Sequence, residues 1–343
     1  MKRNASRSMA ALALCLGLAL AGAPVRAQLK TPSPAQAALD AAAFQGVERM
    51  LAERTTDVQS VVVLLQGRVA YQFHRDGAPD KLRDQQSVQK SALSVLAGVA
   101  LGQRKLASLD QPVVALLPEL APLNADPRAA AITVRHLLTM TAGFEVNDPT
   151  GTARWLPPAQ GWARPLRAAP GEQFSYDNSL MPLLSAALEQ AVGMPLPDFA
   201  RQHVVGPMGL AEPSYERGLQ LRTLDMAKLG ALMLRDGAWD GRQILPAAYV
   251  RAATEPQNAG GPPVATPYGY LWWIRPDPAP RRTFMASGYG GQLVWVFPPL
   301  EMVVAVTSTA SADSQRRGHT LELLRDGLVP AAQARSAPGR PPA

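Results

Sequence analysis

The stretch Arg83 to Gly102, RDQQSVQKSALSVLAGVALG, places Ser87 three residues before Lys90, where an apolar helical run begins. One helical turn puts residues i and i+3 on the same face, so the Lys90 amine can reach the Ser87 hydroxyl. A serine hydroxyl becomes a strong nucleophile when a neighbouring group takes its proton. Lysine takes a proton only when neutral, which requires a pKa well below the ordinary ~10.4. Spacing alone decides nothing. The chain has 17 serines and 6 lysines in 343 residues, so roughly 0.3 such pairs arise by chance. The competing reading makes Ser87 a helix cap beside a solvated lysine.

Two other segments supply context. Pro170 to Leu180, PGEQFSYDNSL, holds Tyr176-Asp177-Asn178, the chain's one Tyr-x-Asn, just ahead of a helical run. A tyrosine beside a lysine can relay a proton, and an asparagine can hold both a lysine and an amide substrate. An Asx turn after Pro-Gly is the alternative. The third segment, FMASGYGGQLVWVF from Phe284, is a glycine-dense strand that a substrate backbone can approach closely. An N–H from it, with that of Ser87, would form an oxyanion hole. The alternative is a glycine-rich bulge.

Around these segments the pattern implies one α+β unit. A helix is predicted over about 37–54, then a hairpin turning at Gln66-Gly67. The middle third is helical: AAITVRHLLTMTAGF capped by Thr133 and closed by Gly143, SLMPLLSAALEQAVG closed by Gly193, and TLDMAKLGALMLRDG closed by Gly237. Residues 144–173 are rich in Pro and Gly without clear period, with Trp155 and Trp162 among them. Strand character returns in YGYLWWIR, TFMASGYGG, QLVWVFPP and EMVVAVTSTA. A last helix is expected from about Asp313 to Leu328. The implied architecture is an antiparallel sheet built from both chain ends, flanked by helices, with a mostly helical lobe inserted. The divisions are a 28–36 linker and a 37–328 catalytic domain, with a mixed lobe at 37–100 and 240–328, a helical lobe at 101–239, and a disordered 329–343 tail.

Residues 1–27 have a basic start, an apolar run from Met9 to about Ala21, and small residues at Val25 and Ala27. That is the layout of a secretory signal cleaved after Ala27, and the run is too short to span a bilayer. Cys15, the single cysteine, would leave with it, ruling out thiol chemistry in the mature chain. Lys and Arg number 34 against 27 Asp and Glu, a formal +7, and removing the segment's four basic residues leaves +3. A charge that small, with no basic run, gives no reason to expect a nucleic-acid partner. The four histidines, His74, His136, His203 and His319, lack metal-ligand spacing, and no Gly-x-Ser-x-Gly elbow or phosphate-cradling loop occurs. No cofactor or metal is expected.

Ser87-x-x-Lys90, Tyr176-x-Asn178 and Ala286-Ser287-Gly288, in that order, resemble the serine β-lactamase and penicillin-binding superfamily. The likeness is to its class C, carboxylesterase and 6-aminohexanoate-dimer hydrolase branch, and runs from about residue 40 to 325. The resemblance implies Ser87 as acylated nucleophile, Lys90 as its base, Tyr176 completing proton transfer, and Asn178 with Ser287 and Gly288 contacting substrate. It makes Tyr289 the second oxyanion donor beside Ser87. Ala286 stands where many relatives carry Lys or His, the cation that holds the carboxylate of β-lactams or peptidoglycan termini. Arg281 and Arg282 are close enough in sequence to be considered as substitutes.

These observations together point to an exported hydrolase of small esters or amides, with Trp272, Trp273 and the 144–173 loop as candidate acyl pocket or as packing between lobes. Two alternatives stay open: a β-lactamase or cell-wall D,D-peptidase, and a non-catalytic sensor or binding protein. Oligomeric state is not indicated.

Overall fold

The computed structural model describes residues 29–146, 155–275, 282–309 and 318–336. The proposed signal segment and the start of the expected last helix lie outside them. Helix α1, Pro34–Glu53, begins a turn earlier than its apolar period suggests, because Ser33 and Gln36 form a reciprocal capping box ahead of it. Strands β1, Val58–Leu65, and β2, Arg68–His74, form the expected hairpin, with Gln66 at φ 51° and Gly67 at φ 80°. Those paired positive angles suit a turn that follows the strands' own twist.

Six further strands complete one sheet: β3, Asn258–Gly261; β4, Thr266–Tyr268; β5, Trp273–Ile274; β6, Phe284–Ser287; β7, Leu293–Phe297; and β8, Met302–Ser308. The spatial order is β2-β1-β8-β7-β6-β5-β4-β3, antiparallel throughout. Strand β1, near the amino end, therefore pairs with β8 near the carboxyl end, and the chain between them is inserted. The α+β architecture is as expected.

Both sheet faces are covered. On one, Phe44 of α1 stacks on Tyr71 of β2 at 5.2 Å. On the other lies α4, Thr223–Leu234, where a Cβ on Gly230 would stand 2.6 Å from Val303 and 2.8 Å from Val294. That close approach needs glycine, and it packs α4 on the sheet although its sequence position suggests the helical lobe. Within the insertion, α2, Val88–Gly102, lies between β6 and α3, Leu180–Val192. Helix α2 is apolar nearly all round, as a helix with neighbours on most sides must be. Its buried serines are satisfied: Ser91 donates to the Leu271 carbonyl at 2.6 Å, and Ser94 shares a 3.0 Å hydrogen bond with the Tyr249 hydroxyl.

Two expectations need correction. The helix predicted to end at Gly143 spans only Val134–Leu138, and Met140 turns to φ 57°. Its carbonyl groups beyond that point serve other segments: Leu138 accepts from Leu271 N–H, Met140 from Ser175 N–H and Thr141 from Gly171 N–H. Tertiary hydrogen bonds replace the helical ones, so no buried polar group is left unmade there. At the other end, residues expected to be a tail continue the last helix. It runs as Gly318–Leu323, a wide π turn at Leu324–Leu328, and Val329–Ser336, with Ala331 and Ala332 buried.

The short Val134–Leu138 helix carries a pH prediction. His136 closes its capping box by accepting the Thr133 N–H at 3.1 Å. Burial, with opposing and reinforcing effects from Asp110 and Arg135, holds the imidazole below its ordinary 6.5. Below pH 6.5 the unfolded chain gains a proton that the folded chain resists, so stability falls as pH drops through that window. His136→Gln keeps an acceptor at the cap and removes the titration. Melting temperature should fall less between pH 7 and pH 5 in this variant than in wild type. An equal fall in both proteins would refute the assignment.

Candidate active site

The chain reaches α2 through a tight turn at Asp84–Gln86. Gln86 takes φ 46°, held by its N–H and side-chain amide donating to the two Asp84 carboxylate oxygens, both at 2.7 Å. Ser87 then adopts helical angles, φ −68° and ψ −8°, and makes no side-chain cap to the helix. Its hydroxyl instead meets the Lys90 amine at 2.9 Å. The question raised by the spacing is thereby answered in geometry: Ser87 is not capping, and Lys90 is not solvated. The lysine is 2% exposed. Its nitrogen lies 5.0 Å from the Tyr176 ring centroid and 5.1 Å from that of Trp155.

Tyr176 is fixed from behind by aromatic packing. It stacks on Trp273 at 5.6 Å and 24°, and meets Tyr268 edge-on at 6.5 Å. Burial, then the neighbouring Tyr176, pushes the Tyr268 phenol well above its ordinary value, so this neighbour stays neutral. Asp177 anchors the turn, accepting from Arg164 at 2.7 Å and from the Ser179 N–H at 2.8 Å. Asn178 is buried in the same turn, where its carbonyl accepts the Met181 N–H at the start of α3.

The third segment closes the site from the sheet. Ser287 is buried at the end of β6. A Cβ on Gly288 would stand 2.9 Å from the Gln85 carbonyl oxygen and 3.1 Å from the Gln86 Cβ. This glycine therefore lies against the protein's own backbone leading into Ser87, a different close approach from that of the substrate backbone its composition suggested. Tyr289 begins the next turn, exposed, and shares a small polar pocket with Gln86 and Gln292. Gly288→Ala should displace that backbone by several tenths of an ångström. For the hydrolase proposed below, the expected result is a fall in kcat/KM of about tenfold, part of the hundredfold that a full ångström of misplacement costs. Unchanged kcat/KM would show that the contact positions nothing.

Ser87, Lys90 and Tyr176 are thus brought together, and Gly288 is placed against the turn that leads into Ser87. What local sequence did not disclose is the aromatic enclosure. Trp273, considered for an acyl pocket, packs on Tyr176, and Trp272 packs on Phe284 at 5.4 Å. Of the 144–173 loop, Trp155 lies over Lys90 and Trp162 is fully buried against Phe144, while residues 147–154 lie outside the described set. Arg281 lies outside it also. Arg282 is exposed, five residues before Ser287 along an extended segment, so about 16 Å away.

A family model described as Beta-lactamase matches residues 47–328. The chain belongs to the beta-lactamase family. Among its relatives, esterase EstB of Burkholderia gladioli is 33% identical over 139 residues, covering 35% of this chain and 34% of its own. A probable fimbrial assembly protein FimD, serogroup H1, of Dichelobacter nodosus is 40% identical over 115 residues, covering 31% and 28%. The matches thus span about a third of these relatives' lengths. In structure, EstCE1, a hydrolase with promiscuous acyltransferase activity, superimposes with TM-score 0.69 at 20% identity, covering 86% of this chain and 99% of that one. This likeness shows the fold. The beta-lactamase family therefore accounts for the architecture, and esterases are among the proteins this chain is similar to.

Proposed function

We propose that the protein is an exported serine hydrolase that cleaves a small ester or amide through an acyl-enzyme on Ser87. The observation that carries this reading is the 2.9 Å approach of the buried Lys90 amine to the Ser87 hydroxyl, with Tyr176 alongside. The Ser87 oxygen attacks the substrate carbonyl carbon while its proton passes to the Lys90–Tyr176 pair. The carbonyl oxygen, now negative, is stabilised by the N–H groups of Ser87 and Tyr289. Collapse of the tetrahedral species breaks the bond to the leaving alcohol or amine, which takes the proton through Tyr176. Water then repeats the sequence on the acyl-enzyme, freeing the acid and restoring the serine. Asn178, Ser287 and Gly288 would hold the substrate's polar groups.

A β-lactam or D,D-peptide substrate is disfavoured by Ala286, which is buried among apolar neighbours where a cation would be needed. Intact-protein mass spectrometry after exposure to a fluorophosphonate tests the proposal. One adduct on wild type, absent from Ser87→Ala, is expected. Absence of any adduct on folded wild type would favour the binding-protein alternative.

A further inference from the structure

A cavity of about 350 Å³ opens beside Lys90 and Trp155 and runs between α2, α3 and the segment 196–221. Along the middle of helix α2, Ser91, Ser94 and Val95 are buried, while Ala92, Leu93 and Leu96 stay partly exposed and line this space. Met181 and Leu229 line the other sides. Glu189, at the outer rim, has a carboxylate oxygen occupied by the Leu196 N–H at 3.0 Å. Walls of this kind lack partner atoms and favour an apolar guest.

The residues along α2 give the cavity a depth scale. Lys90, whose amine meets Ser87, and Leu96 six residues further along α2 both line it, about 9 Å apart at the helical rise. An extended chain advances about 1.2 Å per bond, so that length takes roughly eight carbons. Around the Ser87 backbone the other space is different. The pocket by Gln86 and Tyr289, about 270 Å³, is lined by Arg83, Asp84 and Gln292 and is polar. The apolar side suits the acyl chain retained through the covalent intermediate, and the polar side suits a departing alcohol.

We infer that the cavity is the acyl site, and that the substrates are esters of unbranched aliphatic acids of medium length with polar alcohols. This rests on Ser87 acting as an acylated nucleophile. Ala92 and Leu96 set the chain length accepted, at two depths.

The test is a series of nitrophenyl esters from acetate to palmitate. Each added methylene should raise kcat/KM by about two- to fourfold up to octanoate, with a fall beyond decanoate. Ala92→Phe, near the mouth, should move the optimum to butanoate or shorter. Leu96→Trp, a turn deeper, should move it to about hexanoate. A steady decline from acetate in wild type overturns the inference while leaving the hydrolase reading intact, as does an optimum that neither variant moves. Loss of all Ser87-dependent ester turnover would instead overturn the underlying reading.

Discussion

Ser87→Ala should lower kcat for an activated ester by about ten-thousand-fold or more and leave the melting temperature within a degree or two of wild type. The two halves of that expectation come from one observation. Ser87 makes no cap to its own helix, so alanine removes no helix-stabilising bond, while the Lys90 contact disappears. Lys90→Met keeps the buried stem and removes the amine. It should lower kcat nearly as far, and the double variant should be no worse than either single one, because groups acting as a unit are not additive. If Lys90→Met retains activity within tenfold of wild type, lysine is not the base. Tyr176→Phe then becomes the variant expected to fail.

The largest effect on stability is expected at the other end of the molecule. Asp40 of α1 is 2% exposed and accepts two hydrogen bonds from Arg68, both at 3.0 Å, and a third from Arg335 at 2.8 Å. Asp40→Ala leaves two guanidinium groups facing each other, Arg68 buried and Arg335 partly exposed. Breaking a buried pair by removing one partner costs about 3–5 kcal/mol. Urea unfolding should show a midpoint lowered by that free energy divided by the slope, with the slope unchanged. Adding Arg68→Met to Asp40→Ala should recover part of it, since the stranded charge is then gone. A loss below about 1 kcal/mol would mean that solvent reaches the cluster and screens it.

That cluster also shows why the carboxyl end was not legible. The run after Pro330 is proline, alanine and arginine, with too little apolar surface to announce a helix. Its order depends on Arg335 meeting Asp40, 295 residues away, and on two alanines packing beside α1. Pro330 is tolerated because the preceding π turn shifts the hydrogen-bond register, placing it near the start of the last segment. The sheet, by contrast, was readable, since β1, β7 and β8 are apolar runs bounded by turn residues. Ser87, Lys90 and Tyr176 were readable as motifs. Trp155 and Trp273 were visible only as aromatic residues, because what they enclose comes from distant parts of the chain.

The hydrogen bonds from Ser91 to Leu271 and from Ser94 to Tyr249 lie one and two turns behind Ser87. They bolt the nucleophile's helix to the sheet side of the molecule. The segments on the helix's other flank, α3 and the chain that follows it, are therefore free to change in length and packing without moving the Ser87 hydroxyl. Over generations such a scaffold can exchange one clientele of substrates for another by redrafting its insertion, while the bond-breaking step is inherited intact.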